Sequence, residues 1–173
     1  MSRVLTMVGI QLNTIIAQLK NYAPLYLADQ SWDNVGLLVE PTDDNPTIER
    51  VFLTNDLTEP VLNEAIEKQA QLIVSYHPPI FSPLKRLTQS NWKERIILKC
   101  IRHGIAVYSP HTSWDAVENG INHWLISAFG KGKIFSTVIT LKLSILSQMN
   151  KITHHARLNR LKLMIHHRKV NNY

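Results

Sequence analysis

Two short apolar runs, each followed at once by prolines and by potential metal ligands, constrain the fold of this chain most tightly. Residues 72–74 lead into residues 75–81, which contain His77, and residues 105–107 lead into residues 109–115, which contain Asp115. If both runs are parallel strands, their exits share one edge of a sheet, and α/β proteins usually bind ligands at that edge. The pattern therefore predicts that His77 and Asp115 converge there.

The chain around these runs alternates between strand-like and helix-like segments. The predicted strands are residues 37–39, 51–54, 72–75 and 105–109, and the predicted helices are residues 10–22, 59–70, 90–103 and 116–128. Thr58, just before Glu59 and Pro60, is typical of a helix start, and Ser90 is a candidate N-cap for the next helix. Crossover helices of this kind connect parallel strands. We predict an α/β fold with a parallel or mixed sheet flanked by helices.

The charge of the chain is unevenly distributed. Its 173 residues carry a net charge of +6, but residues 1–129 contain 10 Lys and Arg against 13 Asp and Glu, whereas residues 130–173 contain 9 Lys and Arg and no acid. The two parts differ in composition, so the overall charge says little about the folded part. We expect an α/β domain over residues 1–130 and a basic, acid-free, disordered tail over residues 131–173.

Cysteine content and hydropathy limit the compartment. The single cysteine, Cys100, allows neither a disulfide framework nor a four-thiolate zinc site, and it is expected in the core. No stretch has the length of a membrane span, and the first nine residues are too short for a signal peptide. We predict a cytoplasmic protein that does not bind membranes, with a mitochondrial presequence left open. Nucleic acid is not expected as a partner, except through the basic tail.

Side chains at the strand exits predict a metal site. Asp56, His77 and Asp115 each follow a predicted strand, and imidazole with carboxylate suits zinc, manganese or iron. Each residue also has a structural explanation: Asp56 and Asp115 could cap helices, Asp115 the one from Ala116, and His77 could be an ordinary loop histidine.

Four further residues belong to the predicted cleft. His111 could be a metal ligand, a proton shuttle or the partner that orients Asp115. Tyr76 is expected to point away from His77 if the chain there is still extended. Asp33 and Asn34 lie in a polar loop before a predicted strand and could reach the same rim.

Four motifs in order, at residues 31–39, 53–58, 75–81 and 109–115, resemble the Nif-three-like family, and the similarity spans about residues 10–130. The resemblance implies an α/β fold, ring-shaped homo-oligomers and a dinuclear metal centre. Some bacterial relatives are assigned as type 2 GTP cyclohydrolase I, and animal relatives are described as cytoplasmic and nuclear proteins that bind transcriptional or signalosome partners.

The resemblance also assigns site residues. His77 matches the second histidine of the family's paired-histidine motif, and Asp115 matches its aspartate ligand. Tyr76 stands where many members have the first histidine. The family's other ligands are a histidine and a glutamate near the end of a longer chain, whereas residues 130–173 contain no glutamate.

These departures shape the functional expectation. We predict a truncated Nif-three-like protein whose fold is incomplete relative to the family and whose binding of divalent metal is weakened. Interaction with regulatory proteins in transcription is then the favoured function, with self-association as in the full-length family. The alternative is a metal-dependent hydrolase acting on a nucleotide-like substrate, and the resemblance leaves enzymatic activity open.

Overall fold

The computed structural model describes residues 9–41, 45–128 and 130. The elements in order are β1 (Ile10–Gln11), α1 (Leu12–Tyr22), a 3₁₀ turn (Leu25–Leu27), β2 (Gly36–Val39), β3 (Thr47–Ile48), β4 (Val51–Thr54), α2 (Glu59–Glu67), β5 (Leu72–Ser75), α3 (Trp92–Arg102), β6 (Ala106–Ser109), α4 (His111–Ala116) and α5 (Ile121–Ser127). The predicted tail of residues 131–173 lies outside the described residues. The prediction of a disordered tail therefore stays a prediction.

A four-stranded mixed sheet organises these elements in the order β2-β6-β5-β4. Strands β4, β5 and β6 run parallel, with Val51 opposite Leu72 and Leu72 opposite Ala106, whereas β2 runs antiparallel to β6. The predicted α/β class with a parallel or mixed sheet is confirmed. Because β2 is antiparallel, it begins at the same edge where the three parallel strands end.

Helices α2 and α3 cover one face of the sheet. Leu62 of α2 and Ile96 of α3 pack in one buried cluster with Ile73 and Val107 of the central strands. Cys100 is fully buried in this cluster, which confirms its expected place in the core. All four residues of β5 and of β6 are buried, as is typical of strands covered on both faces.

Helix α1 covers the opposite face. Leu12 and Ile16, four residues apart, contact a second buried cluster that includes Leu72 and Tyr108. The helical periodicity over residues 10–22 is confirmed apart from its first two residues, which form β1 and pair antiparallel with β3. The sheet is thus sandwiched between α1 and the α2/α3 layer.

Two predicted helix boundaries move by a few residues. Helix α3 begins after Asn91, whose side-chain oxygen accepts a hydrogen bond from the Lys93 amide at 2.9 Å, so Asn91 and not Ser90 is the N-cap. Ser90 instead shares a hydrogen bond with the Thr88 hydroxyl. Helix α2 begins after Thr58 as predicted and ends at Glu67, because Gln69 has a positive φ of 55°.

The helix predicted over residues 116–128 is confirmed only over Ile121–Ser127. Two short helices, α4 and α5, flank a break in which Val117 is extended and Asn119 has a φ of 60°. Gly120 follows, and a Cβ atom there would clash with the Trp114 carbonyl oxygen, so the turn requires glycine. The close approach of these backbones ends one helix and starts another.

Among the residues that the structure describes, no helix has both the length and the apolarity to cross a membrane.

Candidate functional site

The carboxyl ends of β4, β5 and β6 and the start of β2 lie at one edge of the sheet, and all seven predicted site residues lie in the segments there. Two buried serines fix the exits of the strands: Ser75 donates a hydrogen bond to the His77 carbonyl at 2.7 Å, and Ser109 donates one to the Tyr76 carbonyl at 3.0 Å. The backbone amide of His77 also donates to the Asn55 carbonyl, at 2.9 Å. These bonds set the positions from which the side chains project.

His77 pairs with Asp56. The Nδ1 atom of His77 lies 2.8 Å from an Asp56 carboxylate oxygen, and both side chains are exposed. The alternative in which Asp56 caps a helix is wrong, because Thr58 occupies the N-cap of α2. A carboxylate on Nδ1 favours the tautomer in which Nε2 carries the lone pair, the usual arrangement of a histidine that binds metal or accepts a proton.

His111 pairs with Asp33 in a more buried setting. Its Nδ1 atom lies 2.6 Å from Asp33 Oδ1, and the Thr112 hydroxyl donates to the other carboxylate oxygen. The Asp33 side chain is 0% exposed, and the Asn34 backbone amide also donates to it. Burial raises the pKa of Asp33, but these hydrogen bonds outweigh burial and hold the pKa below its ordinary value. Asp33 therefore presents to His111 a charged carboxylate that is shielded from solvent.

The backbone of His111 has an unusual conformation. Its φ of 33° lies in the left-handed region, which L-residues other than glycine seldom adopt. The contacts of the imidazole with Asp33 hold the residue there, at the start of α4. Strained backbone of this kind concentrates at functional sites.

Tyr76 joins Asp115 to the histidines. Its hydroxyl donates to Asp115 Oδ1 at 2.7 Å, and its ring centroid lies 4.9 Å from that of His77 and 5.7 Å from that of His111. The expectation that Tyr76 points away from His77 is wrong, because the chain bends at residues 76–77 and is no longer extended. The proposed capping role of Asp115 is also wrong, because Asp115 lies inside α4 and no helix begins at Ala116.

These contacts define a set that we call the edge cluster: Asp33, Asp56, Tyr76, His77, His111 and Asp115. The centroids of the two imidazoles are 5.7 Å apart. Asn34 lies at the margin of the edge cluster, where its side-chain amide donates to the Ile80 carbonyl at 2.6 Å and ties two loops together. Asn34 thus connects two loops, while the six residues of the edge cluster form three interacting pairs.

Two aromatic residues that the sequence analysis gave no role also lie at the edge cluster. The centroids of the half-exposed Trp32 and Phe81 rings are 6.3 Å apart, and they lie 6.3 Å and 6.2 Å from that of His111. The sequence signal that could have identified them is their position, because Trp32 is adjacent to Asp33 and Phe81 lies four residues after His77.

The donor types of the edge cluster fit a divalent cation, but their arrangement supplies only part of a site. Two imidazoles with carboxylate-bound Nδ1 atoms and the Asp115 carboxylate are suitable ligands for zinc, manganese or iron. Within the described ranges, however, no three His, Cys, Asp or Glu side chains are grouped closely enough to hold a metal ion. A closed metal site needs ligands in addition to these.

The fold and the edge cluster define an α/β protein with paired histidines and carboxylates at the carboxyl edge of its sheet. The chain belongs to the Duf34/NIF3 (NGG1p interacting factor 3) family, whose model matches residues 10–172. The predicted resemblance to the Nif-three-like family is confirmed.

Relatives match the chain over most of its length. NIF3-like protein 1 of Drosophila melanogaster is 53% identical over 126 residues, covering 73% of this chain and 42% of the relative. NGG1-interacting factor 3 of Saccharomyces cerevisiae is 38% identical over 140 residues, covering 77% of this chain and 48% of the relative. A Bacillus cereus protein related to NIF3 superposes with a TM-score of 0.64 at 34% identity, covering 72% and 33% of the two chains. This chain spans less than half the length of each of these relatives.

Proposed function

We propose that the edge cluster contributes to a divalent-metal site for hydrolytic chemistry. The observation that carries this proposal is the pairing of both histidines with carboxylates through Nδ1, at 2.8 Å for His77 and 2.6 Å for His111. Such pairing orients the imidazole ring and leaves Nε2 free for a ligand, which is the usual arrangement of histidines that bind metal.

Each residue of the edge cluster has a proposed part. His77 and Asp115 would be ligands of the cation, with Asp56 orienting the His77 imidazole and Tyr76 orienting the Asp115 carboxylate. His111, oriented by Asp33, would transfer protons at the site. A bound cation would supply Lewis-acid activation of water. Further ligands must come from outside the described residues or from another subunit, because the described side chains do not form a three-ligand group.

A nucleotide-like substrate is proposed for this site. Half-exposed aromatic rings suit the stacking of a nucleobase, and Trp32 and Phe81 present two such rings beside His111. The side-chain amide of Asn34 fixes the two loops that carry them. A stacked base would leave the rest of a nucleotide near the histidines.

The metal proposal is tested by elemental mass spectrometry on the purified 173-residue chain. We expect bound zinc, manganese or iron that is lost in His77→Ala and Asp115→Asn. The matched control is His103→Ala, because His103 is the C-cap of α3 and precedes β6 at the opposite edge of the sheet. No metal above background in the wild-type chain, or equal metal in His77→Ala, would refute the proposal.

A second function, binding to a partner protein, is favoured by the names of the relatives. The family description and the yeast relative both refer to an interaction with NGG1. We propose that this chain binds a regulatory protein of that kind independently of metal. Purified NGG1 should then be captured equally by the wild-type chain and by His77→Ala and Asp115→Ala. Loss of capture in both variants would tie the interaction to the edge cluster instead.

A further inference from the structure

An apolar groove lies between α3, β2 and the segment that follows His77. Its volume is about 490 Å³, and its lining includes Leu84 and Leu87 of that segment and Ile97 and Ile101 of α3. Leu84 is 38% exposed and Leu87 is 43% exposed. None of the lining residues belongs to the edge cluster, so the groove is a separate surface.

The segment of residues 78–89 forms the outer wall of the groove, and hydrogen bonds hold it at both ends. At the start of the segment, the Asn34 amide bonds the Ile80 carbonyl at 2.6 Å. At its end, the backbone amide and the hydroxyl of Thr88 donate to the Glu94 carboxylate at 2.8 Å and 2.6 Å, and Arg95 donates to the Gln89 carbonyl at 2.9 Å. The wall is thereby tied to the loop before β2 and to α3, with its leucines partly exposed. A preformed groove loses little entropy when it binds a partner.

The rim of the groove is mainly basic. Lys85 and Arg86 line it between the two leucines, Glu40 is the one acidic residue in the lining, and Arg86 also interacts with the Glu94 carboxylate. Lys93 lies four residues before Ile97 on α3, one turn along the same helical stripe. An acidic occupant therefore complements this rim better than a basic one. Residues 130–173 of this chain contain no Asp or Glu, so the tail cannot supply that charge.

We propose that this groove binds an acidic amphipathic helix of a partner protein. Apolar side chains on one face of such a helix would insert between Leu84, Leu87 and Ile101, and its carboxylates would face Lys85 and Arg86. This inference rests on the partner-binding function proposed above and assigns it a surface and a class of partner. It does not involve the metal site.

The test uses two synthetic helical peptides of identical apolar pattern, one with glutamate and one with lysine on the polar face. Fluorescence anisotropy with the full 173-residue chain should show binding of the glutamate peptide, and Leu84→Asp should weaken it at least about tenfold. Leu125→Asp is the matched control, because Leu125 is an exposed leucine on α5, outside the groove. The double variant Lys85→Glu, Arg86→Glu should reverse the preference toward the lysine peptide.

Charge reversal keeps the test decisive even if Leu84→Asp perturbs folding, because both altered cations are on the surface. Equal binding of the two peptides by the wild-type chain, or an unchanged preference in the double variant, would overturn the inference. So would a wild-type dimer that Leu84→Asp converts to a monomer in light scattering, since a second copy would then occupy the groove. If the chain captures NGG1 while neither peptide binds, the groove is refuted and the partner-binding function stands.

Discussion

Asp33 is the most constrained side chain of the edge cluster. It accepts hydrogen bonds from the His111 ring, the Thr112 hydroxyl and the Asn34 backbone amide, and it is fully screened from solvent. A buried carboxylate is costly unless several donors satisfy it, and here the donors come from two segments almost 80 residues apart. The carboxylate therefore holds the loop before β2 and the start of α4 together.

Tyr108 shows the opposite situation. It is fully buried on β6, and its hydroxyl has no hydrogen-bond partner within the part of the chain that the structure describes. Burying an unpaired hydroxyl costs about 1–3 kcal/mol. Tyr108→Phe should therefore leave the free energy of unfolding unchanged or raise it by about 1 kcal/mol, as measured by urea denaturation. A clear loss of stability would show that the hydroxyl has a partner outside the described residues.

Cys100 should be chemically silent in the native protein. Burial raises the pKa of its thiol from 9.0 to about 12, and the chain has no other cysteine. We expect iodoacetamide to label the chain only after denaturation, as measured by intact mass at mildly alkaline pH. Rapid labelling of the native chain would contradict the packing of α3.

The same burial predicts a pH dependence of stability. The thiol ionises in the unfolded chain near pH 9.0 but stays protonated in the native chain up to about pH 12. Between these values the ionisation of the thiol therefore stabilises the unfolded state relative to the native state. The free energy of unfolding should therefore fall as the pH rises through this window. The free energy of unfolding of Cys100→Ala should fall less steeply over the same window, as measured by urea denaturation at several pH values.

At the scale of elements, the sequence patterns that predicted most were the apolar runs of β5 and β6 and the helical spacing in α1. A strand covered on both faces has to be apolar throughout, so its position is visible without tertiary information. The break between α4 and α5 was not visible, because it depends on the contact between Gly120 and the Trp114 carbonyl. The direction of Tyr76 was also missed, since it depends on where the chain leaves β5.

Asn91 and Ser90 offer a matched pair for testing a helix cap. Asn91 accepts a hydrogen bond from the Lys93 amide at the start of α3, whereas Ser90 does not. Asn91→Ala should lower the free energy of unfolding by about 1 kcal/mol, and Ser90→Ala should change it by less. Thermal or urea denaturation of both variants measures the difference. Equal effects would mean that the cap contributes nothing specific.

At the scale of the whole molecule, strand β4 forms one border of the sheet, and this border is apolar and only partly covered. In β4, Val51 and Leu53 lie beside Leu72 and Val74 of β5 in register, but Leu53 is 71% exposed while the β5 residues are buried. Among the described strands, β4 is an edge of the sheet, and it carries no charge or proline. Such an edge favours association with other chains.

Leu53→Lys should therefore reduce self-association without loss of the fold. A charge on an edge strand opposes pairing with a second edge. Light scattering over a concentration series measures the change, and Leu125→Lys, at an exposed leucine on α5, is the control. If both variants associate as the wild-type chain does, the β4 edge is not the contact.

The antiparallel entry of β2 also has a consequence for the order in which the site can form during synthesis. Asp33 leaves the ribosome long before His111, and the two meet only after β6 is available to pair with β2. The His77–Asp56 pair, by contrast, closes a span of 21 residues within one βαβ unit. The two histidine–carboxylate pairs should thus form one after the other. A nascent chain halted before residue 106 would contain the His77–Asp56 pair without the His111–Asp33 pair.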